Sequence, residues 1–244
     1  MDIHGSFVGF DNANVVNLLI KELKMIRKNV ALKILGLVSA FALLPANTVM
    51  AGEALSWNLS RDMMTGIAKN PTGVWTFMQN SSDVHNPSNY VALKKYYSAT
   101  CATIGNSTKT PISCWTTTSG FPVIGVPLKA LNWNKVYDVK GLAYFHPASD
   151  GTQPVLRWKS PINGTISILG KVSHFAPGCG DGISWSLEQE AEVLQSGSLN
   201  GDGAVFSVQE LEVSKGSNLY FIVNMNSAYE CDSTSLDMII TSQQ

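Results

Sequence analysis

Carboxylates and hydroxyls crowd one short stretch near the C-terminus: Asp232, Ser233, Thr234, Ser235 and, two places on, Asp237. Hard oxygen ligands gathered on loops suit Ca²⁺, which takes about six to eight of them. Asp181 lies in a second polar loop, Gly178 to Gly182, and a bridge between Cys179 and Cys231 would draw the two loops together. The expected metal set is therefore Asp181, Asp232 and Asp237 around a structural Ca²⁺. The competing reading is that Asp181 and Asp232 cap turns as Asx side chains. Asn200-Gly201-Asp202-Gly203 has a faint calcium-loop look, but the closing glutamate is out of place (Gln209, with Glu210 one position late) and the flanks read as strands. A hairpin turn is expected there.

Aromatic side chains at loop tips can stack on sugar faces. His174, Phe175 and Tyr229 are the candidates for ligand binding, with Trp133 behind them. Trp75, Trp158 and Trp185 fall inside strand patterns, where core packing is the better reading. Catalysis finds less support. A nucleophile needs a positioned base and an oxyanion donor, and the sequence carries no G-x-S-x-G, H-E-x-x-H or Cys/His signature. His85, His146 and His174 all sit among loop residues. Glu188, Glu190, Glu210 and Glu212 offer the carboxylate pairs a glycosidase requires, but alternating glutamates on a strand are read as a solvated face. No catalytic residue is assigned.

The four cysteines are Cys101, Cys114, Cys179 and Cys231. An even number in an exported chain reads as disulfides, and four allow three pairings. Cys101–Cys114 with Cys179–Cys231 is favoured: the first closes a Gly/Asn/Thr/Pro-rich loop, the second ties two distant polar loops. Free thiols are the alternative. No C-x-x-C or nearby His suggests zinc.

Short strands must position these loops. Ile166, Ile168 and Val172 share one face of Thr165 to Val172. Ile183, Trp185 and Leu187 alternate with Ser184 and Ser186; Phe206 and Val208 alternate with Ser207 and Gln209; Leu211 and Val213 with Glu210 and Glu212. Leu219, Phe221 and Val223 alternate with Tyr220 and Ile222, a strand buried on both faces. Leu236, Met238 and Ile240 close the series. Period-2 alternation puts each set on one side of a sheet. Turns such as Asn163-Gly164 and Lys215-Gly216-Ser217 separate the strands. Val91 to Tyr97 reads equally as strand or helix, and Ser186 to Ser196 is Glu-rich enough for a turn or two of helix. The pattern predicts an all-β antiparallel β-sandwich, jelly-roll-like, in a single domain over 52–244.

Several motifs carry a family resemblance. Asn70-Pro71-x-Gly73-Val74-Trp75 resembles the NP-x-GVW opening of a group of exported bacterial β-sandwich domains. Val155-x-Arg157-Trp158-x-x-Pro161-x-x-Gly164 resembles their V-R-W-x-x-P-x-x-G strand pair. Leu219-x-Phe221-x-Val223 and Asp232-Ser233-Thr234-x-Leu236-Asp237-x-x-Ile240 are similar to their closing blocks. Ser217 departs from the pattern, which has Asp after the glycine. These domains look like jelly-roll carbohydrate-binding modules. The resemblance implies a non-catalytic module with a glycan partner, and a structural Ca²⁺ by the same analogy. A structural or surface-associated secreted protein and a secreted hydrolase are the alternatives.

Charge and the N-terminal region agree with export. The chain has 244 residues, a net charge of −1 and only 14% charged residues; nothing in it is basic enough to suggest nucleic acid. Arg27, Lys28 and Lys33 precede an apolar run of 11 residues, Ile34 to Leu44, then Pro45 and a small-residue site at Val49-Met50-Ala51. That order is a secretory signal, and the run is short of the ~20 residues of a transmembrane helix. Residues 25–51 are read as a signal peptide and 1–24 as an over-called extension ahead of the true start at Met25. The expected location is secreted or periplasmic, with no membrane contact after cleavage. The remaining chain carries 12 basic and 15 acidic side chains, about −3 net. No oligomeric state is assigned.

Overall fold

The computed structural model describes residues 53–81, 84–99, 101, 111–133, 136–138, 140–176 and 178–243, with the backbone alone for 131–133 and 136–138. The signal segment 25–51 and the extension 1–24 lie outside the described residues. In chain order the elements are β1 (Ser56–Asn58), α1 (Leu59–Gly66), β2 (Trp75–Asn80), β3 (Val91–Ala92), β4 (Lys95–Tyr97), β5 (Ile112–Thr116), β6 (Val123–Pro127), β7 (Leu131–Trp133) and β8 (Val136–Asp138). They continue as β9 (Ala143–His146), β10 (Gln153–Lys159), β11 (Gly164–His174), β12 (Ile183–Gln189), β13 (Glu192–Leu199), β14 (Gly203–Val213), β15 (Asn218–Met225) and β16 (Thr234–Ser242).

Two antiparallel sheets make a jelly-roll-like sandwich. One runs β14-β11-β16-β9-β6-β5-β4, with β1 added to β16; the other runs β13-β12-β15-β10-β2-β3. Strands β7 and β8 pair with each other. The inner faces meet in one core that joins Ile124, Phe145, Ile168 and Leu236 of the first sheet to Trp75, Trp158, Trp185 and Phe221 of the second. The three tryptophans are 0, 1 and 6% exposed, as the alternation predicts. Burying each large apolar side chain contributes about 2–3 kcal/mol.

The sequence patterns hold in most strands, and the exceptions have reasons. Strand β15 is buried on both faces because Met78, Tyr90 and Val155 cover its outer residues Tyr220 and Ile222. In β14 the apolar phase jumps from Phe206/Val208 to Leu211/Val213. The register with β11 shifts at the same place, from Ile168↔Val208 to Ile166↔Leu211, and Glu210 takes a φ of 55°. That is a β-bulge, one extra residue accommodated on one strand. Ser186 to Ser196 is not helical: it forms the β12–β13 hairpin, closed at Gln189↔Glu192. Asn200 to Gly203 is not a hairpin turn: it carries the chain from β13 in one sheet to β14 in the other. Val91 to Tyr97 resolves into two short strands, β3 and β4, one in each sheet.

Helix α1 is eight residues long, too short for a periodic signal in sequence. Asn58 caps it by accepting from the Arg61 N–H at 2.8 Å, and Leu59 and Met63, one turn apart, go into the core. Among the described residues no helix is long and apolar enough to cross a membrane. The NP-x-GVW motif has a structural job. Asn70 donates from Nδ2 to the carbonyls of Phe77 (2.8 Å) and Leu93 (3.0 Å) and accepts from the Phe77 N–H (2.9 Å), so one side chain stands in for a strand partner.

Candidate functional site

Two regions gather polar side chains. The first is the loop cluster joined by the Cys179–Cys231 disulfide, whose Cα atoms are 5.8 Å apart; Cys101–Cys114 is the second bridge. His174 ends β11 and is 3% exposed. Its Nδ1 accepts from the Gly201 N–H (2.6 Å) and its Nε2 donates to the Cys231 carbonyl (2.9 Å). Both ring nitrogens therefore hold loops together, and the ring shows no face to a ligand. Burial pulls its pKa down, consistent with a neutral imidazole. Phe175 is half-buried and its N–H donates to the Ser233 carbonyl. Tyr229, also half-buried, packs edge-on against Phe121 and His146 at 6.1 Å. His146 is buried, and that burial lowers its pKa to about 4.

The three predicted metal ligands part company. Asp181 is half-buried and accepts from the backbone N–H groups of Ser227 (2.7 Å) and Ala228 (3.3 Å), so it ties its loop to the one after β15 and does not cap its own turn as an Asx side chain. Those bonds hold its carboxyl below the ordinary value. Asp232 is fully buried, and neither carboxylate oxygen has a hydrogen-bond partner. Burial, then the charges of Asp181 and Glu230, push its pKa up to about 8. Asp237 lies apart, on the outward face of β16, exposed and accepting from Ser60 Oγ at 3.0 Å. The physical reason is that Asp232 sits in the turn before β16 while Asp237 is inside the strand, where alternation sends it outward. Among the described residues no group of three acidic, His or Cys side chains could hold a metal. The residues do not fit the oxygen-rich shell that Ca²⁺ requires.

The second region is the outer face of the six-stranded sheet. Ile183, Trp185 and Leu187 point into the core, so Ser184, Ser186 and Glu188 point out. Ser184 lies opposite Ser198 on β13 and Asn224 on β15; Ser186 lies opposite Ser196 and Ile222. The register thus builds a grid of four hydroxyls and one amide on neighbouring strands, about 5 Å apart. The grid, with His85 at its side, lines an open pocket of about 350 Å³. Gly197, opposite Trp185, leaves room for the indole on the inner face: a Cβ there would meet Nε1 at 3.0 Å.

Beside the grid lies a buried carboxylate. Glu188 is 0% exposed, contrary to the solvated face that its alternation suggests. The segment after β2 folds over it. His85 Nδ1 is 2.5 Å from Oε1, Ser186 Oγ donates to Oε1 at 2.6 Å, and the Tyr90 hydroxyl reaches Oε2 at 3.5 Å. Burial raises the Glu188 pKa, but the bonds from His85 and Ser186, the charge of His85 and the Tyr90 hydroxyl outweigh it and leave the group lowered. Burial and Glu188 together raise the Tyr90 phenol. The order Ser186–Glu188–His85 puts the carboxylate in the middle. A serine nucleophile needs its hydroxyl on the imidazole, with the acid behind it, and that order is not made.

No protein-family model matches the sequence, and no curated protein matches it. Solved structures do match in part. One is the carbohydrate-binding module CBM51 from Clostridium perfringens GH95 in complex with methyl-galactose, at 12% identity and a TM-score of 0.33, covering 61% of this chain and 94% of that one. A CBM36 module in complex with calcium and xylotriose aligns at 12% identity and a TM-score of 0.29, over 46% of this chain and 86% of that one. A cleaved adhesin domain of Lys-gingipain aligns at 9% identity and a TM-score of 0.40, over 78% of this chain and 98% of that one. At such identities and scores a likeness carries nothing about this chain's ligand.

Of the six residues proposed from sequence for ligand or metal, five share the loop cluster and Asp237 does not. The outer-face grid escaped notice, although its signal is present. Ser184-x-Ser186 and Ser196-x-Ser198 each repeat a hydroxyl at strand period. What the sequence lacks is the pairing that sets the two repeats side by side. Trp133 is on β7, and its side chain is outside the described residues.

Proposed function

We propose that this chain is an exported, non-catalytic binding module that takes a neutral, hydroxyl-rich saccharide on the outer face of its six-stranded sheet. One observation carries the reading: the registered grid of Ser184, Ser186, Ser196, Ser198 and Asn224 lining an open pocket. A saccharide presents a row of hydroxyls that both donate and accept. Serine hydroxyls and an asparagine amide do the same, and the hydroxyls of Ser184, Ser196 and Ser198 and the Asn224 amide make no hydrogen bond within the described protein. Val193, 54% exposed, adds apolar surface for the C–H face of a sugar ring. Secretion supports the reading through the signal-like segment and the two disulfides. A hydrolase reading gains less, because Glu188 is buried and occupied by its partners and the pocket lining holds no carboxylate among the described residues.

A glycan array followed by isothermal titration of the best neutral oligosaccharide tests this. Asn224→Ala with Ser198→Ala is expected to weaken binding at least tenfold. Unchanged affinity in that variant, or no neutral glycan bound at millimolar concentration, overturns the assignment.

A further inference from the structure

A second pocket lies where the chain leaves one sheet for the other. Strand β3 ends the order of the six-stranded sheet, and β4 ends that of the eight-stranded sheet. Only Leu93 and Lys94 separate them. Leu93 is buried in the core, its N–H donates to the Phe77 carbonyl, and its carbonyl accepts from Asn70, so the crossing point is fixed. Around it opens a pocket of about 390 Å³ whose walls include Gln79, Lys94, Lys95, Thr116 and Thr118.

The chemistry of these walls is one-sided. Lys94 and Lys95 are both exposed. Among the described residues the ion pairs are Arg61–Asp62 and His85–Glu188, so neither lysine is neutralised by a carboxylate. The Lys95 ammonium lies 5.0 Å over the Tyr97 ring, which steadies it without consuming its charge. Among the described residues no carboxylate lines the pocket. Two buried polar atoms with no hydrogen-bond partner among the described residues also belong to this wall: the hydroxyl of Thr116, a residue 0% exposed, and Oε1 of Gln79. Buried polar atoms are nearly always paired, so two orphans in one pocket call for a reason. A hydroxyl can donate to an anion, and an amide oxygen can accept from a ligand hydroxyl.

We infer that this inter-sheet pocket is a second binding site, for a saccharide bearing an oxyanion, either a uronate carboxylate or a sulfate ester. Lys94 and Lys95 meet the oxyanion, Thr116 donates to it, and Gln79 accepts from a sugar hydroxyl. The site is separate from the serine grid and requires no contribution from it.

The test is titration of the ¹⁵N-labelled protein with three probes: trigalacturonate, a sulfated disaccharide, and the neutral oligosaccharide of the outer-face assay. Either acidic probe is expected to shift amides at 92–95 and 116–118. Lys94→Gln with Lys95→Gln should weaken it about tenfold, and added salt should weaken it too. The two acidic probes separate carboxylate from sulfate. Thr116→Val gives an independent readout: it should weaken the acidic probe yet leave the melting temperature of the free protein unchanged or raised, because it removes an orphaned polar atom. A fall in melting temperature would mean that the hydroxyl is satisfied internally. The inference is overturned if neither acidic probe binds at millimolar concentration, if shifts fall on 184–186 and 224 instead, if the lysine variant binds unchanged, or if Thr116→Val lowers the melting temperature. Acidic binding without neutral binding would retain this site and remove the outer-face reading; the reverse outcome would do the opposite.

Discussion

The loop cluster and the outer-face grid are both rich in polar side chains, yet they use them in opposite ways. In the cluster the groups are consumed, apart from Asp232, whose unpaired carboxyl is sealed from any ligand by burial. His174 spends both nitrogens on Gly201 and Cys231, Asp181 ties its loop to Ser227, and Tyr144 meets Ser233 at 2.9 Å. On the sheet face the groups are left over. Ser184, Ser196, Ser198 and Asn224 face a pocket and make no internal bond among the described residues. A polar group already bonded inside the protein has little to give a ligand, because the old bond must break first. Abundance of chemically capable residues is therefore a poor guide to a site. Unused bonding capacity, held in a fixed geometry, is a better one.

Four measurements can break or sharpen that contrast. The largest effect is expected from Cys179→Ser with Cys231→Ser. The bridge closes a loop with a sequence separation of 52, and loop-closure entropy predicts a loss of about 4 kcal/mol in urea unfolding. Saccharide binding at the grid should survive wherever the variant is folded; its loss would show that the two regions are coupled. Next comes Glu188→Ala, which leaves His85 and Ser186 without their buried partner and should cost about 3 kcal/mol. It should also loosen the pocket, measurable as weaker binding, since Ser186 belongs to the grid.

The third concerns pH and isolates the cluster. Asp232 has a folded-state pKa of about 8, above its ordinary 3.8, so the folded state holds an extra proton between those values and stability falls as pH rises through that window. His146 is displaced the other way, to about 4 from 6.5, so its contribution rises with pH over that range. His174, also lowered by burial, adds to the His146 rise, and both oppose the Asp232 slope below about pH 6.5. Above 6.5 only Asp232 acts, and stability should drop by about 1–2 kcal/mol by pH 8. Asp232→Asn should abolish that drop and expose the combined rise from His146 and His174, read by unfolding at each pH. Millimolar Ca²⁺ should leave the melting temperature unchanged. A rise that Asp232→Asn lacks would restore a metal to the cluster. The smallest stability effect belongs to Asn224→Ala with Ser198→Ala, within about 0.5 kcal/mol, although the same variant should lose binding. A large destabilisation there would mean that the grid holds the fold together and is not spare.

Much of the architecture was legible because it depends on local rules. Alternation in β12 and β15 fixed which side chains face the core, the phase jump from Val208 to Leu211 recorded the bulge, and Cys179 with Cys231 pointed to two loops that do meet. The misreadings were non-local. Glu188 has the alternation of an exposed residue, and it is buried only because the segment carrying His85 and Tyr90 returns over that face from a hundred residues upstream. Asp237 has the composition of a metal ligand beside Asp232, and strand geometry carries it to the opposite side.

By itself the sequence determined the strands, their inward faces and an all-β sandwich, since side-chain period and turn chemistry act within a few residues. The order of strands was decided only by the tertiary structure. That order sets Ser196 and Ser198 beside Ser186 and Ser184, and ends both sheets at Leu93. Pairing register is a property of two distant segments and the core they share, so no single strand contains the information for either pocket.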